Sequence, residues 1–182
     1  MRRRLRWLVL ALVLLVVAGI VVAVVSVQPK LSDARDRVDR AWTPLQPALV
    51  ARYQTLGGVE LALDAGGAQT RTVTVDLHAT LASWQRLARV DDPGDQAPLA
   101  NDLEALALRV KANVAASARL SNDPPLVAAL AAFDRSVVSP PGVNAYNQAV
   151  LAYQQERTGA VHHLVAGVFG FDARPVLAIA GA

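Results

Sequence analysis

Hydrophobic positions are arranged along this chain in two unlike ways, first as one unbroken run and then as stripes at helical spacing. No charged residue lies between Trp7 and Pro29, a stretch of 23 residues built almost wholly from Leu, Val, Ala and Ile. As a helix it would reach about 35 Å, enough to cross a hydrocarbon core of about 30 Å. Beyond it, Leu31, Ala34, Val38, Ala41/Trp42, Leu45, Leu49, Arg52/Tyr53 and Leu56 recur at three- and four-residue steps, the stride of one buried helical face. Asp33, Arg35, Asp36, Arg37, Asp39 and Arg40 alternate in sign opposite that stripe, as a solvated face does.

Breakers divide the rest. Pro44 and Pro47 each remove a backbone donor, so a kink or break is expected near Thr43–Pro47. Gly57-Gly58 is a second weak point, and Asp64-Ala-Gly-Gly-Ala68 reads as a loop. A helix over about Thr72–Val90 follows, although Thr72-Val-Thr-Val75 also alternates like a short strand. Pro98 is expected to open the next helix, which runs to about Leu120. Asp123 and Pro124 suit the cap and first position of another, ending near Val137. After Ser139-Pro-Pro-Gly142, the stripe Val143, Tyr146, Val150, Tyr153, Arg157, Val161, Leu164, Val168 predicts one last long helix. The apolar tail Val176–Ala182 is free to pack or fray. The expected fold class is all-α: an N-terminal transmembrane helix followed by an antiparallel helical bundle.

Arg2, Arg3, Arg4 and Arg6 precede the apolar run, and such residues stay cytoplasmic, which argues for the N-terminus inside and the bundle outside. Lys30, Arg35, Arg37 and Arg40 at the far end oppose that orientation. A cleaved signal peptide is the rival reading, but its apolar region usually covers about 7–15 residues. Leu8 to Val25 gives eighteen, and Val24-Val-Ser26 is a poor cleavage pattern. The expected divisions are a basic arm at 1–6, an anchor at 7–29 in the lipid bilayer, and a bundle domain at 30–182.

Charge excludes one class of partner. The whole chain carries +3, but five basic residues and no acidic ones precede Leu31, so the remainder has net charge −2. Its basic residues are scattered rather than gathered on a face, which argues against nucleic acid. Without cysteine, no disulfide is available and the bundle must hold by packing.

No residue pattern amounts to a catalytic signature. His162 and His163 are adjacent and point about 100° apart on a helix, a poor arrangement for one metal. Asp91, Asp92 and Asp95 lack the twelve-residue frame of a calcium loop and read as a turn. Trp42, Tyr53 and Trp84 could line a ligand groove, although stripe positions of this kind more often supply core. No enzyme activity and no cofactor are expected.

Two segments carry a family resemblance. Arg37-Val-Asp-Arg-Ala-Trp42 with Leu49-Val-Ala-Arg-Tyr53 resembles the start of the LemA family, which places such a helix after a membrane segment. Tyr146-Asn-Gln-Ala-Val150 with Tyr153, and Val165-Ala-Gly-Val-Phe-Gly-Phe171, resemble its closing elements. Here Gln54-Thr-Leu-Gly-Gly-Val59 replaces the family's usual continuation after Arg-Tyr, Ser139-Pro-Pro-Gly142 cuts a region it keeps helical, and Gln154 replaces its second Asn. The resemblance implies a membrane-anchored helical bundle and brings no enzyme activity with it. The expected function is a non-catalytic interaction or scaffold module of the cell envelope, binding a protein partner or a second copy. The alternative is a secreted or periplasmic ligand-binding bundle with a cleaved signal peptide.

Overall fold

The computed structural model describes residues 2–90 and 92–179; the side chains at 2–13, 16, 17, 20, 21, 23, 24, 160 and 161 lie outside that description. Within it the chain is helical: α1 (Arg2–Trp42), α2 (Gln46–Ala65), α3 (Thr72–Leu87), α4 (Pro93–Ala115), the single turn α5 (Ala118–Ser121), α6 (Pro124–Arg135), α7 (Pro140–Glu156) and α8 (Ala160–Phe169). Among the described residues no helix is long and apolar enough to cross a membrane. The arginine arm and many side chains of the expected 7–29 anchor fall outside the described ones.

Four rods make the bundle. The break expected near the prolines falls at Thr43–Leu45, and α2 follows α1 across it. The α6–α7 pair forms a second broken rod, antiparallel to the first. Arg52 of α2 reaches Phe133 at the end of α6, and Trp42 of α1 meets Tyr146 near the start of α7. The two breaks lie side by side. Gly142 sits so close to Leu45 that an added Cβ would stand 2.8 Å from Leu45 Cδ2. The α3–α4 hairpin supplies the other two rods, with Arg71 bonded to Asn113 at one end and Gln96 to Leu87 at the other.

The stripe from Leu31 to Leu56 is the core seam, with Leu31, Val38, Trp42, Leu49 and Leu56 fully buried. Three expectations need correction. Gly57-Gly58 does not break α2, because buried Leu56, Val59 and Leu63 on either side hold the helix against its neighbours. The next correction concerns α4, which begins at Pro93 rather than Pro98. Asp92 accepts from the Gly94 amide and supplies the cap, and Pro98 lies within the first turns. Last, the stripe of α7 does not run to Val168. The helix ends at Glu156, Gly159 adopts φ 105°, and the chain restarts out of phase. Val165 and Ala166 are consequently buried, while Leu164 and Val168 are exposed.

The tail packs. Beyond Gly170, which takes φ 68° to close α8, residues 171–179 run without helix or strand along α7 and α4. Ala180–Ala182 lie outside the described residues.

Candidate functional site

The three aromatic candidates are placed in two groups, and none is open. Tyr53 and Trp84 meet edge to face with ring centroids 4.8 Å apart, at 2% and 3% exposure. A shallow cleft passes over them between Val50, Gln54, Leu81 and Arg89, but the rings are filled in by their neighbours. Trp42 stands apart, packed at a tilt of 55° against Tyr146 with centroids 5.1 Å apart and donating from Nε1 to Gln96 Oε1 at 2.9 Å. Trp42 therefore does not share a groove with Tyr53 and Trp84, and all three side chains belong to the core.

Two charge clusters, one buried and one built on a buried arginine between half-exposed carboxylates, carry the polar chemistry; the stripe pattern alone did not single them out. In one, Arg52 makes a two-pronged pair with Glu104: Nε donates to Oε1 at 2.6 Å and Nη2 to Oε2 at 2.8 Å. Nη1 donates to the Phe133 and Ser136 carbonyls at the end of α6, and the guanidinium lies 4.1 Å from the Phe133 ring centroid. Burial works against the Arg52 charge, but hydrogen bonding and attraction from Glu104 outweigh it and raise its pKa. Tyr53 donates to Ala100 O at 3.1 Å and faces Glu104; burial, with that carboxylate, pushes its phenol far above the ordinary range. A cavity of about 150 Å³ opens beside the pair, walled by Lys111, Phe133, Asp134 and Ile179. Every polar arm of Arg52 is engaged, so the pair locks α2, α4 and α6 together and leaves no free base.

In the second cluster Arg174 of the tail, 5% exposed, enters a notch between Asp92 and Asp39. Nη1 pairs with Asp92, while Nη2 lies 3.7 Å from Asp39 Oδ1. Arg174 Nε and Asp39 Oδ1 have no hydrogen-bond partner. Burial raises the Asp39 pKa against the lowering pull of Arg174 and Arg35. Gly94 forms the floor of the notch, where any side chain would overlap the guanidinium.

His78 on α3 lies apart from the adjacent His162 and His163 on α8. His78 pairs through Nδ1 with Glu60, and His162 Nδ1 lies 2.6 Å from the Glu156 carbonyl. Hydrogen bonding to Glu60, and its charge, raise the His78 pKa. This pairing contributes most below the ordinary histidine pKa and fades as pH rises through the raised value. Proton NMR titration should find His78 titrating above the free-histidine range, and Glu60→Gln should return it there. A normal value in the unsubstituted chain would mean that the contact does not persist in water. Among the described residues, no three metal-ligating side chains are grouped. Asp92 of the acidic turn caps α4, and Asp91 lies outside the described residues.

No protein-family model, no curated protein and no solved structure matches the chain. The resemblance to the LemA family rests on the quoted segments alone, and those segments have a clear physical place. Asp39, Trp42, Arg52 and Tyr53 from the first, and Tyr146, Asn147 and Tyr153 from the second, hold the buried polar contacts of the bundle and its tail.

Proposed function

We propose that this chain is a LemA-like, membrane-anchored protein of the cell envelope, whose helical bundle acts as a non-catalytic interaction or scaffold module. Residues 7–29 are the anchor, with the N-terminus cytoplasmic and the bundle on the other side. The carrying observation is the division of α1 into two kinds of surface. From Val27 onward its apolar face is core, whereas Leu14, Leu15, Val22 and Val25 are 61–71% exposed on the same continuous helix. Water does not favour so many large apolar side chains on one rod; a bilayer does. Support also comes from α8, which packs against α1 and leaves Leu164, Val168 and Phe169 exposed at the end from which the apolar part of α1 emerges. The scaffold role is supported by the engagement of Arg52, Glu104 and Tyr53 with one another and with main-chain atoms.

The cysteine-free chain makes the test direct. Ser121→Cys, at an exposed position, should react with a membrane-impermeant maleimide in intact cells, and the full-length chain should stay in carbonate-washed membranes. Labelling only after lysis would reverse the orientation and place the partner in the cytoplasm. A shortened chain released from the membrane would identify residues 7–29 as a cleaved leader and overturn the anchored reading.

A further inference from the structure

The tail 171–179 is held as a bound peptide is held. It pairs with no strand, yet five of its carbonyls, those of Asp172, Arg174, Pro175, Val176 and Leu177, accept hydrogen bonds from side chains of α4 and α7. Two of the donors are asparagines that grip from two different helices. Asn147 donates to the Leu177 carbonyl at 2.9 Å and accepts from the Leu177 amide at 2.8 Å. Asn101 donates to the Val176 carbonyl and accepts from the Ala178 amide, both at 2.8 Å. A carboxamide matches the donor and acceptor of a peptide backbone whatever the side chain, so these clamps read main chain and not sequence.

Side-chain pockets add the sequence. Phe171, Arg174 and Leu177 are buried at steps of three, the stride of a polyproline II segment, and Ile179 follows. Arg174 fills the acidic notch over Gly94, and Leu177 and Ile179 join the core. Main-chain bonds for affinity with pockets at alternate positions for specificity is the logic of extended-peptide recognition. Among the described residues the tail joins the bundle through Gly170, in a left-handed turn after a helix with exposed Leu164, Val168 and Phe169.

We propose that the α4–α7 groove is a receptor for an extended segment of the pattern Arg-Pro-x-Leu-x-Ile, and that the chain exchanges its own residues 171–179 for those of a second copy. The acidic notch and the two apolar pockets fit this chain's own tail, and reciprocal exchange closes a symmetric pair without a new interface. The attached tail competes at an effective concentration on the order of millimolar, so exchange is a property of crowded copies.

Complementation tests this with full-length chains. One variant, Leu177→Asp with Ile179→Asp, keeps the groove and loses the tail; the other, Asn101→Ala with Asn147→Ala, keeps the tail and loses the groove. Mixed in detergent, they should form a one-to-one complex seen by size exclusion with light scattering, and neither should dimerise alone. A fluorescent peptide of residues 171–182 should bind the tail-deficient chain and not the groove-deficient one. Restoring only one of the two asparagines should leave binding weaker by about tenfold. Peptide binding without a chain–chain complex would overturn the second copy as occupant, and helical chains with neither would overturn the receptor. Hydrogen exchange on the unsubstituted chain decides independently of any variant: the Leu177 and Ala178 amides should open while α7 stays protected. If they exchange only with global unfolding, the tail is a fixed part of the core and the proposal fails.

Discussion

Glu104→Ala is expected to destabilise the bundle by about 3–5 kcal/mol, because it leaves the Arg52 guanidinium buried without its counter-charge. The two side chains are only 8% and 4% exposed, so water does little to screen the loss. Arg52→Ala should cost a similar amount by stranding the carboxylate, and would also free the Phe133 and Ser136 carbonyls that tie α6 to α2. Arg52→Met combined with Glu104→Leu should recover most of the stability, since two apolar side chains of similar volume avoid desolvating any charge. Urea unfolding followed by circular dichroism, run as a double-mutant cycle, measures each step. A loss below about 1 kcal/mol for Glu104→Ala, the range of exposed pairs, would mean that water in the adjoining cavity already solvates the arginine.

Much of the fold could be read from spacing alone, because one stripe with a constant stride specifies one buried face. The seam Leu31–Leu56 and the proline break after Trp42 are of this kind. What spacing does not encode is phase across a loop: Gly159 shifts the register of α8, and the eight-position stripe that seemed to run through it was a coincidence of two faces. Nor does a weak local propensity decide against tertiary support, as Gly57-Gly58 inside α2 illustrates. The polar clusters were half legible. Arg52 occupies a stripe position, which demands a buried partner, and Glu104 lies beside Leu103 on the apolar face of α4; two misplaced charges of opposite sign were the available signal. The tail gave less. Tyr146, Asn147, Tyr153 and Gln154 stand on one face at helical spacing, but that they grip a backbone and not another helix follows only from where residues 172–177 lie.

Trp42→Ala is the second large effect expected, about 3–5 kcal/mol, since it removes a fully buried ring at the junction of α1, α4 and α7. More than volume is lost. Gln96 accepts from the indole and donates through Nε2 to the Leu87 and Val90 carbonyls at 2.7 and 2.6 Å, so the ring orients the side chain that closes the end of α3. Trp42→Phe keeps most of the packing and strands only the Gln96 oxygen, and should cost about 1–3 kcal/mol. Thermal unfolding of the two variants separates packing from hydrogen bonding. The same ring braces Tyr146, whose hydroxyl holds the Pro175 carbonyl at 2.9 Å. Hydrogen exchange at Leu177 and Ala178 should therefore accelerate in Trp42→Ala by more than the fall in global stability accounts for. If the tail amides keep their protection relative to α7, the asparagine clamps hold the tail without the Trp42–Tyr146 contact, and the groove is rigid independently of α1.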